Sequence, residues 1–454
     1  MLFKRRAYDR MKEWKREAEG SRALLVEGAR RVGKSTLVEE FAKREYAHHL
    51  IIDFSEASEE LKELFLQYRA DLDVFFMYLQ AYTGITLPRR ESVVVFDEVQ
   101  RFAPAREFIK QLVADGRYDY IETGSLISIR RNVEGIVIPS EERTLRLNPL
   151  DFDEFLNAIG ESQLSSVISE AFETLAPLPD VLHRKAMRLF REYMLVGGMP
   201  QVVQEYLNSR DFEVADRTKR DILALYDNDI AKFGGTDATR IRRVFSTLPG
   251  QLAKHDKKFT LASLDKNARS REYADAFFWL SDACISAVCY NVDDPAVGLA
   301  ASANESSFKC YMADTGLLVA QMFRDNDTTP HEVYRDILMD KLEINEGMLT
   351  ENAVAQQLLA NGHKLYFYSR RDDCDRRSTM EIDFLITRGY DDAAGRMRVS
   401  PIEVKSKKNY RFVSLEKFKD KFGKRVGTRF ILHPKQLMKE ADVVRLPLYM
   451  AHCL

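Results

Sequence analysis

The stretch GARRVGKS, residues 28–35, constrains this chain more than any other feature. It follows a short apolar run, 23–27, and precedes a helical pattern that begins near Lys34. A G-x-x-x-x-G-K-S spacing between strand and helix is that of a phosphate-cradling loop. Gly28 and Gly33 free the backbone to close its N–H groups around phosphate oxygens, and Ala29, Arg30, Arg31, Val32 and Thr36 complete the binding loop. Lys34 then reaches the β and γ phosphates, and the Ser35 hydroxyl holds Mg²⁺.

Such a loop needs a carboxylate at the end of a neighbouring strand. SVVVFDEVQ, 92–100, supplies it. The apolar run 93–96 reads as a strand buried on both faces. Asp97 at its end binds Mg²⁺ through water, and Glu98 is the base that orients the attacking water. Gln100 either assists Glu98 or caps local structure. Further strands are expected at 49–55, 118–125 and from 143, with a helix over 105–116 closed by Gly116 and another starting near Asp151. The fold class is therefore α/β, a parallel sheet with helices on both faces and ligand at the C-terminal strand ends.

GARRVGKSTLVEEF, FDEVQRF, YIETGSLISIRRN and LNPLDFDEF together resemble the prokaryotic, archaeal-type AAA ATPases of the wider group of signal-transduction ATPases with numerous domains. The resemblance covers about residues 1–230. It implies ATP as ligand, Mg²⁺ as cofactor and ATP hydrolysis, with Lys34 and Glu98 as catalytic residues. Thr123 and Ser125 fall where this class places a γ-phosphate sensor; an ordinary helix or turn cap is the alternative. The turn GGMP, 197–200, breaks a helix. In the wider group such a G-x-P element lays its proline on the nucleotide base, which implies that role for Pro200. Arg130, Arg131 and Arg143 are candidates for arginine fingers across a homo-oligomer interface.

Four domains are expected: the ATPase core over 1–157, a helical lid over 158–235, a winged-helix-like module over 236–330 and a last α/β domain over 331–454. The winged-helix reading rests on element order, with helices near 262–267 and 271–283 before strands at 285–290 and 307–314. The second of those helices carries Glu272, Asp275 and Asp282, as well as Phe277, Phe278 and Trp279, which suits packing better than a DNA groove.

The C-terminal third reads helix (349–362), three strands (364–371, 380–387 and 401–408), helix (411–423), strand (427–433). That order, with Asp383 in MEIDFLIT and Glu403-Val404-Lys405 in PIEVK, resembles the PD-(D/E)XK nuclease fold. Glu351 matches its common helix carboxylate. In such a site Asp383 and Glu403 hold Mg²⁺ and Lys405 stabilises developing charge. Many domains of this fold keep the shape and lose the cutting activity. A carboxylate inside an apolar run is costly, so Asp383→Ala is expected to raise stability while removing function.

Net charge is −2, which gives no global attraction to nucleic acid. Residues 361–454, however, hold 21 Lys and Arg against 12 Asp and Glu. This local excess points either to a polyanion such as DNA or to a solvated basic face. The five cysteines include no C-x-x-C pair, and no apolar run approaches membrane-spanning length. A cytoplasmic ATPase that switches its C-terminal modules is the expectation. A nucleotide-switched scaffold for a protein partner and an ATP-gated metal-dependent nuclease are its rivals.

Overall fold

The computed structural model describes residues 3–124, 141–254, 258–259, 270–339, 346–370, 379–388, 397–407 and 410–454. The chain divides into two compact units, Met1–Asn148 and Pro149–Leu454.

The first unit is built on five strands: β1 (Ala23–Gly28), β2 (His48–Asp53), β3 (Ser92–Asp97), β4 (Asp119–Gly124) and β5 (Glu142–Leu147). They form one sheet in the order β2-β3-β4-β1-β5, with every pairing parallel. Parallel neighbours need crossovers, and the helices that provide them cover the sheet. β3 and β4 are buried throughout, as the continuous apolar run of β3 requires. One face is sealed by interlocking aromatic rings, among them Phe54, Phe65, Phe75, Phe96 and Phe108. Helices Glu59–Gln67 and Leu72–Thr83 carry part of that cluster and were not anticipated. Both begin at good N-caps: Ser58 Oγ accepts the Leu61 N–H, and Asp71 Oδ1 accepts those of Asp73 and Val74. The helix Ala103–Asp115 ends at a left-handed Gly116, as expected.

The second unit opens with helices. Asp151 starts the first of them, Phe152–Ala158, with a complete capping box to Glu154. Helices Asp180–Val196 and Pro200–Ser209 flank the GGMP turn, and Phe212–Phe233 and Ala238–Leu252 follow. The unit's sheet has eight strands: β6 (Ser286–Val292), β7 (Ala303–Met312), β8 (Tyr366–Arg370), β9 (Met380–Arg388), β10 (Arg398–Val404), β11 (Arg429–His433), β12 (Met438–Glu440) and β13 (Val443–Pro447). Their order is β12-β13-β11-β10-β9-β8-β6-β7. Helix Val413–Phe422 packs Leu415 and Phe418 onto Tyr368, Ile382, Val399 and Ile431.

The pair β6–β7 is antiparallel, as expected of a wing, but it does not stand alone. β6 also pairs in parallel with β8, through Tyr290–Tyr366 and Asn291–Phe367, and so continues the C-terminal sheet. The preceding helix, Ser270–Asp282, buries Tyr273, Ala276, Phe277 and Leu280, a packing face. The expected helix at 262–267 lies outside the described residues.

Candidate functional site

The glycines of the loop after β1 are needed for two different reasons. A Cβ on Gly28 would lie 2.4 Å from the Leu147 carbonyl oxygen, so the strand exit tolerates no side chain. Gly33 has φ 92°, in the left-handed region that glycine enters without strain. Ala29 and Val32 are buried, whereas Arg30, Arg31, Ser35 and Thr36 are exposed. Helix Lys34–Glu45 begins on this loop and points its N-terminal N–H groups at it. Lys34 is buried and donates to the carbonyls of Gly28 (3.0 Å) and Ala29 (3.1 Å), which holds its ammonium along the loop. Arg5, absent from the sequence expectations, is also buried here and donates to the Val32 carbonyl at 3.4 Å.

The parallel register brings the ends of β3 and β4 beside this loop. Ser35 Oγ donates to Asp97 Oδ1 at 3.0 Å, and the Thr123 hydroxyl donates to the same oxygen. Thr123 Oγ1 accepts the Glu98 backbone N–H at 3.2 Å. Glu98 adopts φ 51°, unusual for a residue with a side chain. Its Oε2 accepts from Gln100 Nε2 at 2.6 Å. Ser35, Asp97 and Thr123 thus form a set of hard oxygen donors, the kind that suits Mg²⁺. When bound, that ion would be held by Ser35 and Asp97 and would neutralise phosphate charge. Ser125, Arg130 and Arg131 lie outside the described residues. Arg143 pairs with Glu17 at 2.8 Å.

In the second unit, the GGMP turn is fixed by close packing. Gly197 has φ 83°, and a Cβ there would meet Asp314 Oδ1 at 2.3 Å. One on Gly198 would meet the Leu150 carbonyl oxygen at 2.1 Å. The Gly198 N–H donates to Asp314 Oδ2 at 2.6 Å, and Asp314 also caps helix Thr315–Met322 through the Leu317 N–H. Pro200 is the first residue of its helix, where its missing N–H costs nothing.

The four C-terminal residues singled out in the sequence do converge, with company. Asp383 on β9 accepts the Val404 N–H at 2.8 Å. Glu403 on β10 lies 2.7 Å from Lys405 Nζ. Burial raises the Glu403 carboxyl to about 7, against the pull of Lys405. Glu351 is buried on helix Glu346–Ala360. Among these groups lies Lys309, from β7. Its ammonium is 3.3 Å from Glu351 Oε1, 2.9 Å from Glu381 Oε1 and 3.8 Å from Asp383 Oδ1. Burial alone would lower the Lys309 pKa, but the carboxylates of Glu351, Glu381 and Asp383 more than offset this and hold it above its usual value. The Tyr311 hydroxyl donates to the same Glu351 oxygen. Among the described residues, no group of three or more His, Cys, Asp or Glu is arranged to hold a metal ion. A buried ammonium lies among Glu351, Glu381 and Asp383, and with that charge in place the residues there do not fit the divalent cation that the nuclease resemblance implies.

The expected stabilisation on removing Asp383 fails for the same reason. Its carboxylate takes a backbone N–H and faces a buried ammonium, so it is not an uncompensated charge. Lys309, Tyr311 and Glu381 were missed in the sequence. Lys309 carries the same signal as Asp383, a charge inside a short apolar run, here 308–312.

The first unit thus has a parallel sheet with a glycine loop and paired carboxylate at its strand ends, the architecture of a P-loop nucleotide-binding core. Residues 20–156 match the family model for an AAA domain. Residues 187–328 match a domain of unknown function, DUF8612, and residues 346–449 another, DUF4143. No curated protein matches the chain. One similar solved structure is a Walker-type ATPase of Pyrococcus abyssi: 16% identity, 71% of this chain and 96% of that one, TM-score 0.42. Another is a signal-transduction ATPase with numerous domains and a tetratricopeptide repeat sensor, from Pyrococcus horikoshii. There the identity is 10%, with 77% of this chain and 45% of that one covered, and the TM-score is 0.27. Among the described residues no helix is long and apolar enough to cross a membrane.

Proposed function

We propose that this chain binds ATP with Mg²⁺ on the loop of residues 28–36 and hydrolyses it, and that turnover switches the second unit. The observation that carries this is the convergence of the Ser35 and Thr123 hydroxyls on Asp97, with Gln100 holding Glu98 beside it. Lys34 stabilises the charge on the β and γ phosphates. Ser35 and Asp97 hold the metal ion, and Glu98 accepts the proton of the attacking water. Thr123 links Asp97 to the Glu98 backbone, so a shift at the γ-phosphate is passed to the base. For Pro200, the G-x-P resemblance implies a contact to the adenine.

Within the second unit we assign a helical lid to 158–235 and a module with winged-helix element order to 236–330. A PD-(D/E)XK-like fold is assigned to 331–454. DNA is the ligand class that the basic excess over 361–454 favours. A nucleotide-switched scaffold for a protein partner is the second reading. It is favoured by the Lys309 ammonium, which lies among Glu351, Glu381 and Asp383. The test is ATP turnover by the full chain with and without DNA across a salt series. Salt-sensitive stimulation by DNA supports the first reading, and turnover indifferent to DNA supports the scaffold. Turnover unaffected by Lys34→Ala removes the ATPase assignment itself.

A further inference from the structure

We propose that Lys309 takes the cation's place in the Glu351–Glu381–Asp383 cluster, so that the second unit carries a metal-free site neutralised by its own ammonium. The reading does not depend on the ATPase assignment.

Three observations carry it. The Lys309 side chain is 1% exposed, and its Nζ lies within 4 Å of a carboxylate oxygen on each of three acids. Those acids come from two segments: helix Glu346–Ala360 and β9, which places Glu381 and Asp383 on one face. Their convergence point is therefore the ammonium. Second, one oxygen of each of Glu351, Asp383 and Glu403 already faces a donor or a cation. Glu351 Oε1 serves both Lys309 and Tyr311, Asp383 Oδ2 takes the Val404 N–H, and Glu403 Oε2 pairs with Lys405. Third, the ammonium sits 5.0 Å from the centre of the Phe367 ring, a further favourable contact for a cation of this size. Mg²⁺ requires oxygen ligands at close range in near-ideal octahedral geometry. It cannot share this position with a second positive charge.

The consequence is mechanical as well as chemical. Lys309 belongs to β7, at the edge of the sheet, whereas Asp383 and Glu403 lie on β9 and β10. The ammonium ties the edge pair β6–β7 to the helix and central strands of the C-terminal fold. A hydrolytic metal centre is thereby replaced by a structural tie.

Mn²⁺ binding to the full, nucleotide-free chain tests this, with Asp97→Ala as background to suppress the loop site and electron paramagnetic resonance as readout. The Asp97→Ala protein is expected to bind no Mn²⁺ through the second unit. Adding Lys309→Gln is expected to create Mn²⁺ binding that Asp97→Ala alone lacks, and further Asp383→Ala to abolish it. A Lys309→Gln chain that folds, by circular dichroism, and gains no Mn²⁺ overturns the proposal. So does an Asp97→Ala chain that binds Mn²⁺ and loses it with Asp383→Ala. If Lys309→Gln does not fold, that comparison between Asp97→Ala and Asp97→Ala/Asp383→Ala decides alone: no Asp383-dependent Mn²⁺ supports the ammonium.

Discussion

Two carboxylate sites stand in this chain, one in each unit, and they differ in what satisfies the acids. Asp97 receives hydroxyls from Ser35 and Thr123, and Glu98 receives the Gln100 amide. Neutral donors hold a carboxylate in place without cancelling its charge, and that charge remains available to a metal ion. Asp383 and Glu403 instead face Lys309 and Lys405. Ammonium groups cancel the charge they orient. The same residue types thus give opposite chemistry, and the charge of the donors decides which.

The largest effect should come from Lys34→Ala. Loss of the ammonium along the loop is expected to lower ATP turnover on the order of 1,000-fold, measured by phosphate release. If turnover survives, the first site is not the one that works.

Glu98→Gln should slow turnover about 100-fold or more while ATP stays bound, because Ser35 and Asp97 are untouched. Nucleotide binding and phosphate release measured on the same sample check the split. Equal loss of both would make Glu98 a structural residue and narrow the contrast between the two sites.

Asp383→Ala probes the other side. It strands the Val404 N–H and removes one partner of Lys309, so denaturant unfolding should show a loss of about 1–3 kcal/mol. ATP turnover should be unchanged. A gain in stability would mean that Asp383 is a strained functional group after all.

The smallest effect concerns pH. Glu403 titrates near 7 in the folded chain, against a usual value of 4.5. Between those values the folded chain keeps a proton that the unfolded chain releases. Its contribution is therefore full below about pH 4.5 and is lost as pH rises through 7. Glu403→Gln should flatten that slope, on the order of 1 kcal/mol, in urea midpoints measured from pH 4.5 to 7.5.

Much of the first unit was legible because its signals are local. GARRVGKS, the apolar run into Asp97 and Gly116 each fix their own few residues of backbone. Ser58 and Asp71 carry equally local cap signals for the helices they start. The role of Gln100 needed a side-chain distance. In the second unit, element types followed the sequence closely, and even the β6–β7 pairing was readable. Its continuation into β8 was not, since Asn291 and Phe367 are joined by sheet pairing and not by proximity in the chain.

The sequence by itself determined the phosphate loop, its paired carboxylate and the order of elements along the C-terminal third. These depend on residue type and on periodicities that act within a few positions. Only the tertiary structure decided that Gly198 must be bare against Leu150, that β6 and β7 join the second sheet, and that Lys309 lies among Glu351, Glu381 and Asp383. Each joins residues far apart in the chain. A charge buried in an apolar strand declares that it has a partner, and only the folded chain says whether that partner is a metal ion or a lysine.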